Sequence, residues 1–421
     1  MSGGEEMKKN NFPLVLSMSL LVISLAAWVY QIQGGLIVTN MRNPFNWGLY
    51  IATFAFFVGI AAGGLIVSSS VYLFNLEPLK PFTRIASLTA FASTLGAMLI
   101  ILPDLGRVDR MFQLFLHPNF SSPLVWDVVV LSTYLVITFL SVYYQLLPDW
   151  KPQSKEKAQK AARRVAYVGL PVAVLIHTVT ALIFATQGSR HWWNTALLPP
   201  DFIAMAVASG TALVMVVMLL TMGKEGLVAH SGAFKILGSI IAGALVVHFF
   251  FLAVDLIIHG WWGGPAAEGL FAQLFGRYGA LYAVELILLA VVMAYFVTGR
   301  KAGSYTGLLL SSLLLFAGVF IHRMMLMFPA FNDIPLHFIN TGTGAGWSYP
   351  VALGHFQPGM DVFVSFWPYV PSPVEWAVTL LPFGMVGLVI ALALRFFRFL
   401  PERQVRGASV SSTGYKASVS R

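Results

Sequence analysis

The sequence predicts an all-α integral membrane protein with ten transmembrane helices. Composition is the first reason: 57% of the 421 residues are hydrophobic and only 10% are charged. A water-soluble domain of this length could not cover its surface with so few charges, so the bilayer is expected to be the solvent. The second reason is that the apolar residues form long runs, each near the ~20 residues that cross a hydrocarbon core.

Ten runs are long enough to span the membrane. They cover residues 13–33, 46–74, 82–103, 123–147, 164–187, 200–222, 234–260, 276–298, 303–328 and 375–398. The first run is interpreted as helix 1 and not as a removable signal peptide, because it lacks a small-residue cleavage pattern. Since ten is an even number, both termini are expected on one side.

The basic residues predict which side that is. The side that holds the N-terminus has 20 of the 26 Lys and Arg residues, and the other side has Arg42, Arg107, Arg110, Arg190, Arg277 and Arg323. Cytoplasmic loops are enriched in Lys and Arg, so both termini are predicted to be cytoplasmic. The basic segment Lys151–Arg164 is interpreted as an anchor beside anionic lipid headgroups. The net charge of +9 therefore reflects topology, and no nucleic-acid partner is expected.

Small residues suggest an internal repeat. Helix 2 carries Gly59–Gly64 and helix 6 carries Ala204–Gly210, stretches that let helices approach closely in lipid. The two helices start on the same side and are four spans apart. This favours two four-helix bundles, helices 2–5 and 6–9, with helices 1 and 10 peripheral, although small residues in membrane helices usually indicate only packing.

This organisation divides the chain into seven predicted segments. They are a cytoplasmic N-terminus at 1–12, helix 1 with an external loop at 13–45, the first bundle at 46–199, the second bundle at 200–328, an external loop at 329–374, helix 10 at 375–401 and a cytoplasmic tail at 402–421. The 329–374 loop is rich in Pro, Gly and aromatic residues, and loops of that length are usually functional.

Cysteine is absent from the chain, which restricts its redox chemistry. Disulfides, thiolate-held iron–sulfur clusters and covalent haem attachment are excluded, so any such centres belong to partners. Non-covalent haem is not expected either. Helix 7 spaces its two histidines 11 residues apart, whereas stacking two haems would need about 14. No metal site is predicted.

Few ionisable residues lie within the predicted spans, and each is a functional candidate because burying it in lipid is costly. Asp104 ends helix 3, three residues before Arg107, and His177 lies near the middle of helix 5. The alternative for Asp104 and Arg107 is an interfacial ion pair.

The second half carries a larger set. On helix 7, His248, Asp255 and His259 fall within about 40° of one face. Glu285 on helix 8 and the pair His322 and Arg323 on helix 9 could join them in a buried relay. Such groups suit quinone chemistry, which moves two electrons and two protons, and they equally suit a proton or ion pathway. The remaining alternative is a network that only fixes helix packing.

Several motifs together resemble the NrfD/PsrC family of quinone-interacting membrane subunits. They are Asn43–Tyr50, Phe57–Gly63, Asp104–Arg107 and Ser121–Trp126. The similarity is strongest from about 43 to 130. The ten spans resemble the subunits of the sulfate-reducer quinone reductase complex, the sulfite-reduction-linked complex and alternative complex III more than the eight-span polysulfide reductase subunit.

The resemblance implies a function and a set of partners. Members of this family lack haem and clusters of their own and exchange electrons between a quinone near the outer face and a ferredoxin-like iron–sulfur subunit docked there. It implies menaquinone as substrate and further subunits such as a multihaem cytochrome c or a molybdopterin-type protein. It also implies a bacterial or archaeal cytoplasmic membrane as the location.

The resemblance also implies roles for particular residues. Asp104 and Arg107 match the family's Asp-Leu-Gly-Arg element, although Val108 stands where a proline often follows. His177 resembles the histidine that larger members place beside the quinone. The predicted quinone-binding residues are Asp104, His177, Arg107, Asn46, Trp47 and Trp126, and the predicted proton path comprises His248, Asp255, His259, Glu285, His322 and Arg323.

The sequence thus predicts a quinone-reducing or quinol-oxidising membrane subunit that acts within a complex, with possible coupling to proton uptake or translocation. The rival from another class is a secondary transporter or ion pathway that uses the polar cluster of helices 7–9. Transporters tend to have inverted repeats with helices broken at the midplane, whereas this sequence favours parallel repeats.

Overall fold

A computed structural model describes residues 11–261, 263–299, 304–332, 337–339, 346–348, 351–354, 362–364, 367 and 369–399. In this part of the chain ten helices are long and apolar enough to cross a membrane, as the sequence predicted. They are α1 Phe12–Gly34, α2 Leu49–Leu73, α3 Thr83–Asp104, α4 Pro123–Trp150, α5 Lys155–Ala185, α6 Leu198–Ala229, α7 Ser231–Trp261, α8 Gly279–Thr298, α9 Tyr305–Asn332 and α10 Pro373–Phe396. The predicted tail 402–421 and residues 1–10 of the predicted N-terminal segment lie outside the described residues.

Several helix ends differ from the hydropathy runs. α5 begins at Lys155, nine residues before the predicted start, because Lys, Glu, Gln and Ala favour a helix without being apolar. Most of the basic segment predicted as a loop is therefore helical. α6 continues past the predicted end to Ala229, across a break at Gly223, whose φ of 64° is left-handed.

One hydrogen bond relates the two ends of the described helical chain. Arg395 near the end of α10 donates from Nη1 to Oδ1 of Asn11 over 3.0 Å, and Asn11 directly precedes α1. We call this side the terminal face. The opposite side, where α1 and α3 end and α2 and α10 begin, is the far face.

Helix contacts form two closed rings. In the first ring α2 contacts α3, α3 contacts α4, α4 contacts α5 and α5 returns to α2; in the second ring α6, α7, α8 and α9 follow one another in the same way. The rings join chiefly through α2 and α6, the two most buried spans. α1 packs against α10, which in turn packs on α3 and α2. The site residues therefore lie inside rings or where a ring meets α1 and α10.

The far face carries the longer connections. Two antiparallel strand pairs are described between α9 and α10: β1 His337–Ile339 with β2 Gly346–Ser348, and β3 Val351–Ala352 with β4 Phe363–Val364. A short helix Pro265–Phe271 and a π-helical turn Ala272–Arg277 precede α8. α10 begins with a capping box in which Ser372 and Glu375 exchange hydrogen bonds with each other's backbone N–H groups.

Candidate functional site

Polar side chains from four helices converge at the far end of the first ring. Gln31 of α1 donates from Nε2 to the carbonyl of Pro103 in the last turn of α3 over 2.8 Å. The hydroxyl of Tyr50 on α2 donates to Oε1 of Gln31 over 2.7 Å. Because the last carbonyls of a helix have no intrahelical partner, Gln31 satisfies one of them and fixes α1, α2 and α3 relative to one another.

Glu375, in the first turn of α10, is fully buried beside this group. Its Oε2 accepts from the backbone N–H groups of Asn40 at 2.8 Å and Ser372 at 2.9 Å, and its Oε1 accepts from the hydroxyl of Tyr369. The same Tyr369 oxygen accepts from the N–H of Leu49 at 2.9 Å. Burial and the neighbouring Glu375 carboxylate raise the pKa of Tyr369 above its ordinary value, so its hydroxyl keeps its proton. We call Gln31, Tyr50, Asp104, Tyr369 and Glu375 the Asp104 group.

Asp104 has an unused acceptor in this group. Its Oδ1 is buried and has no hydrogen-bond partner among the described residues. Glu375 and Tyr50 lie within electrostatic range of Asp104. A buried polar atom without a partner is rare in proteins and commonly marks a place where a ligand or water completes the bonding.

Arg107 does not pair with Asp104. It forms an exposed ion pair with Asp109, in which Nη2 and Oδ2 are 2.7 Å apart. This hydrogen-bonded contact raises the pKa of Arg107 and lowers that of Asp109. The interfacial ion pair considered for Asp104 is thus absent from the described structure, and the Asp104 carboxyl is left for other partners.

The three predicted lining residues occupy different surroundings. Trp47 is half-buried in an aromatic cluster with Phe184, Trp193 and Phe331, at ring distances of 5.9, 6.0 and 6.3 Å. Asn46 is exposed beside it. Trp126 is 48% exposed and donates from Nε1 to the carbonyl of Phe120 over 2.8 Å. Of these three residues, only Trp47 is partly buried among other side chains near the far face.

His177 lies deeper in the membrane than Asp104. A methyl group at Gly59 of α2 would be 3.9 Å from Nε2 of His177, whereas the Asp104 group includes Tyr50 of the same helix. Nine residues of α-helix separate Tyr50 from Gly59, which is about 14 Å. The His177 side chain is 1% exposed and has no side-chain hydrogen-bond partner in the described part of the chain. His177 and the Asp104 group thus lie beside different turns of α2, and their membership of one quinone pocket stays a prediction.

A second polar group lies inside the second ring. Nδ1 of His248 is 2.6 Å from Oδ1 of Asp201, Nε2 of His322 is 3.3 Å from Oδ2 of Asp201, and Nδ1 of His322 is 2.8 Å from Oε1 of Glu285. The four residues come from α6, α7, α9 and α8. We call them the Asp201 group. Each contact joins an imidazole to a carboxylate, so the group can hold and exchange protons.

Arg323, the neighbour of His322 in sequence, is fully buried. Its guanidinium carbon lies 3.8 Å from the ring centre of Phe202, a cation–π contact, and its nitrogens have no hydrogen-bond partner among the described residues. Asp201 and Glu285 lie within electrostatic range of Arg323. A buried cation needs compensation, and these two carboxylates are placed to provide it.

Asp255 and His259 form a separate pair nearer the far face. Thr195 donates to Oδ1 of Asp255 over 2.6 Å, and the His259 ring nitrogens lie 2.9 and 2.8 Å from the carbonyl oxygens of Asp255 and His191. The predicted stripe of His248, Asp255 and His259 on α7 is thus shared between two groups.

A cavity joins these groups. Its volume is about 30 Å³, and it is lined by Asp201, Glu285 and His322 together with Asp255 and Thr195. Trp192, Tyr282 and Met325 also line it. Water in such a cavity would connect the Asp201 group with Asp255, which the side chains alone do not.

Comparison with known proteins identifies the family. A sequence profile described as polysulphide reductase, NrfD, matches residues 37–335, most of the chain. The chain belongs to the NrfD family. A similar relative is a putative membrane subunit of dimethyl sulfoxide reductase from Halobacterium salinarum, 32% identical over 94% of this chain and 92% of that protein.

Two further relatives of this NrfD-family protein carry quinone names. An Hdr-like menaquinol oxidoreductase integral membrane subunit of Archaeoglobus fulgidus is 26% identical over 94% of this chain and 95% of its own length. A menaquinone reductase integral membrane subunit of Nitratidesulfovibrio vulgaris is 23% identical over 87% and 86%. With its ten apolar helices, the NrfD-family chain described here is a multi-pass membrane protein.

Sequence reasoning missed three buried acids of this NrfD-family protein. Asp201 follows two prolines in the first turn of α6, and Glu375 follows a proline in the first turn of α10, positions where an acid usually only complements the helix N-terminus. Asp127, near the start of α4, accepts from Thr180 over 2.5 Å. The capping-box pattern of Ser372 and Glu375 could have located the turn, but burial of its acid depends on Tyr369 and Asn40, which come from other segments.

Proposed function

We propose that this NrfD-family protein is the membrane subunit of a respiratory redox complex that binds a quinone at its far face, beside Asp104. The observation that carries the proposal is the buried, unpartnered Oδ1 of Asp104 within a group that otherwise satisfies its hydrogen bonds. Relatives named for menaquinone and menaquinol reactions support a quinone as the ligand, and menaquinone in particular.

The chemistry of the Asp104 group fits this ligand. Each quinone carbonyl gains or loses one proton as the ring takes up or releases two electrons, so a carboxyl within hydrogen-bond reach can act as general acid or base. Gln31 links Tyr50 to the carbonyl of Pro103, the residue before Asp104, and this hydrogen-bonded support fixes the position of the site.

The electrons must come from or go to a partner. The chain has no cysteine, so we infer that a ferredoxin-like iron–sulfur subunit docks on the far face, with a multihaem cytochrome c or a molybdopterin-type protein as a further subunit. We place the terminal face in the cytoplasm and the far face in the periplasm or its archaeal equivalent, because the topology predicted from the sequence assigns 20 of 26 Lys and Arg residues to the side of the N-terminus.

We further propose that the Asp201 group carries protons through the second ring. It contains two imidazoles and two carboxylates within hydrogen-bonding distance, and the cavity connects it with Asp255. His177 of α5, in the first ring, is within electrostatic range of Arg323 of α9, in the second ring. Proton movement here would accompany quinone turnover at the Asp104 group.

The quinone site is tested by Asp104→Asn in the intact complex. The amide keeps the shape of the side chain but cannot exchange a proton, and general acid–base catalysis contributes roughly 10²–10⁴-fold. Turnover with a soluble menaquinol analogue is expected to fall by about that factor. Asp109→Asn is the matched control, because Asp109 is exposed and forms an ion pair with Arg107 that does not involve Asp104. Equal, undiminished turnover in both variants would refute the site.

The proton path is tested by Glu285→Gln in proteoliposomes. Removing the carboxylate takes away one end of the His322 contact, so the variant should retain quinone turnover but generate a smaller membrane potential per electron. Thr298→Val on the same helix is the control, because Thr298 is exposed at the terminal end and bonds only the backbone. An unchanged potential in Glu285→Gln would count against the path.

A further inference from the structure

Three potential metal ligands converge in the second ring. Asp201, His248 and His322 each offer one ligand atom, and these atoms lie within 4.8 Å of one another. They are held on α6, α7 and α9, so their spacing is set by packed helices. We propose that this trio binds one divalent cation of the zinc class, which arrives through the cavity. The proposal does not depend on quinone binding at Asp104.

The ligand spacing is close to what such a cation needs. Zn²⁺ bound to nitrogen and oxygen at 2.0–2.1 Å in a tetrahedron places neighbouring ligand atoms about 3.4 Å apart. Nε2 of His322 already lies 3.3 Å from Oδ2 of Asp201. Nδ1 of His248 lies 2.6 Å from Oδ1, the other oxygen of the same carboxylate, so this hydrogen bond must break before Nδ1 and Oδ2 can face one cation. All three ligand atoms lie within 4.8 Å of one another, so side-chain rotations can bring them to the ~3.4 Å spacing.

Glu285 takes the place that an outer carboxylate has in metal sites. Metal-binding histidines almost always donate their other ring nitrogen to a carboxylate or carbonyl, which fixes the ring and raises its basicity. His322 turns Nε2 toward Asp201, and its Nδ1 lies 2.8 Å from Oε1 of Glu285. Oε2 of Glu285 is buried and has no partner among the described residues. A helix-packing network does not require this carboxylate–histidine–ligand order.

The cavity supplies both access and an open coordination position. Asp201, His322 and Glu285 all line it. Three protein ligands leave the fourth tetrahedral position for water, as in open zinc sites. The carboxylates of Asp201 and Glu285, which also compensate the buried Arg323, offset only part of the charge of the metal ion. We therefore expect reversible binding that is weaker than that of a closed structural zinc site.

Binding exchanges the cation for a proton. Both ring nitrogens of His322 face carboxylate oxygens, positions in which each carries a hydrogen. Ligation at Nε2 releases that proton to the cavity. At His248 the hydrogen moves from Nδ1 to Nε2, so this ring loses none. One proton leaves for each cation bound, and the affinity is expected to rise with pH.

The test measures zinc on the purified complex without quinone. The protein is equilibrated with Zn²⁺, excess metal is removed by gel filtration, and bound zinc is quantified and examined by X-ray absorption. Wild type should retain one zinc more per chain than His248→Gln or His322→Gln, with nitrogen and oxygen ligands at 2.0–2.1 Å. His230→Gln is the matched control, because His230 bonds the carbonyl of Gly226 outside the Asp201 group.

Two further readouts keep the test decisive. Glu285→Gln should bind zinc 10–100-fold more weakly without losing it, since Glu285 only orients a ligand. Wild-type affinity should fall as the pH is lowered. No retained zinc, or equal zinc in wild type and both histidine variants, would overturn the proposal. If a histidine variant is not monodisperse, the X-ray absorption spectrum of the zinc-loaded wild type decides the question. A spectrum without scattering from imidazole ligands would overturn the proposal. Failure of Asp104→Asn to affect turnover would leave this result unchanged.

Discussion

Gly63 of α2 and Gly210 of α6 meet backbone to backbone where the two rings join. A methyl group added at Gly210 would lie 2.4 Å from Cα of Gly63, and one added at Gly63 would lie 2.1 Å from the carbonyl oxygen of Ala206. Both distances are too short for any side chain. The contact sets how closely the rings approach and hence the distance between the Asp104 and Asp201 groups.

Gly210→Ala is therefore expected to disrupt assembly of the helices. The added carbon would meet backbone atoms of α2, which no rotamer change can move away. We therefore expect the folded protein to lose at least about 1–3 kcal/mol of stability. The measurement is the monodisperse fraction and the thermal midpoint in detergent. Gly243→Ala on α7 is the control, because nothing lies within 4 Å of its added carbon. Equal midpoints for the two variants would contradict this packing.

The ten spans were predictable because hydropathy and length alone decide whether a helix crosses a membrane. Helix ends were less predictable. The charged turns at the start of α5 add nothing to hydropathy, yet Lys155–Arg164 continues the helix with residues of high helix propensity.

The site was predictable only in part, because depth and neighbours come from tertiary packing. Asp104 and His177 were assigned to one pocket, and their neighbours on α2, Tyr50 and Gly59, lie about 14 Å apart along that helix. Asp201 was not predicted as a site residue, because an acid in the first turn of a helix usually only complements the helix N-terminus. In the structure it contacts both His248 and His322. No local pattern in the sequence reports these contacts, since each joins residues from different helices.

Tyr369→Phe should lower the stability of the far face. The hydroxyl donates to Glu375 and accepts from the N–H of Leu49, so its removal leaves a buried donor and a buried acceptor short of partners. Each unsatisfied buried group costs about 1–3 kcal/mol. The thermal midpoint of the variant should fall clearly below that of Tyr30→Phe, whose side chain is 57% exposed. Matching midpoints would show that Tyr369 does not hold α10 in place.

Single cysteines can test the orientation, because the chain has none of its own. Ser121 lies in the exposed α3–α4 connection at the far face, and Gln153 lies in the exposed α4–α5 connection at the terminal face. In intact cells a membrane-impermeant maleimide should label Ser121→Cys, and should label Gln153→Cys only after lysis. The reverse pattern would place the termini outside the cytoplasm.

A photoreactive menaquinone analogue tests the quinone site at the Asp104 group directly. After illumination of the intact complex, peptide mapping should find the label on segments that contain Tyr50 or Asp104, and excess unmodified quinone should abolish it. Label confined to the cavity of the second ring, at Tyr282 or His322, or label at Tyr50 and Asp104 that excess quinone does not reduce, would contradict the account.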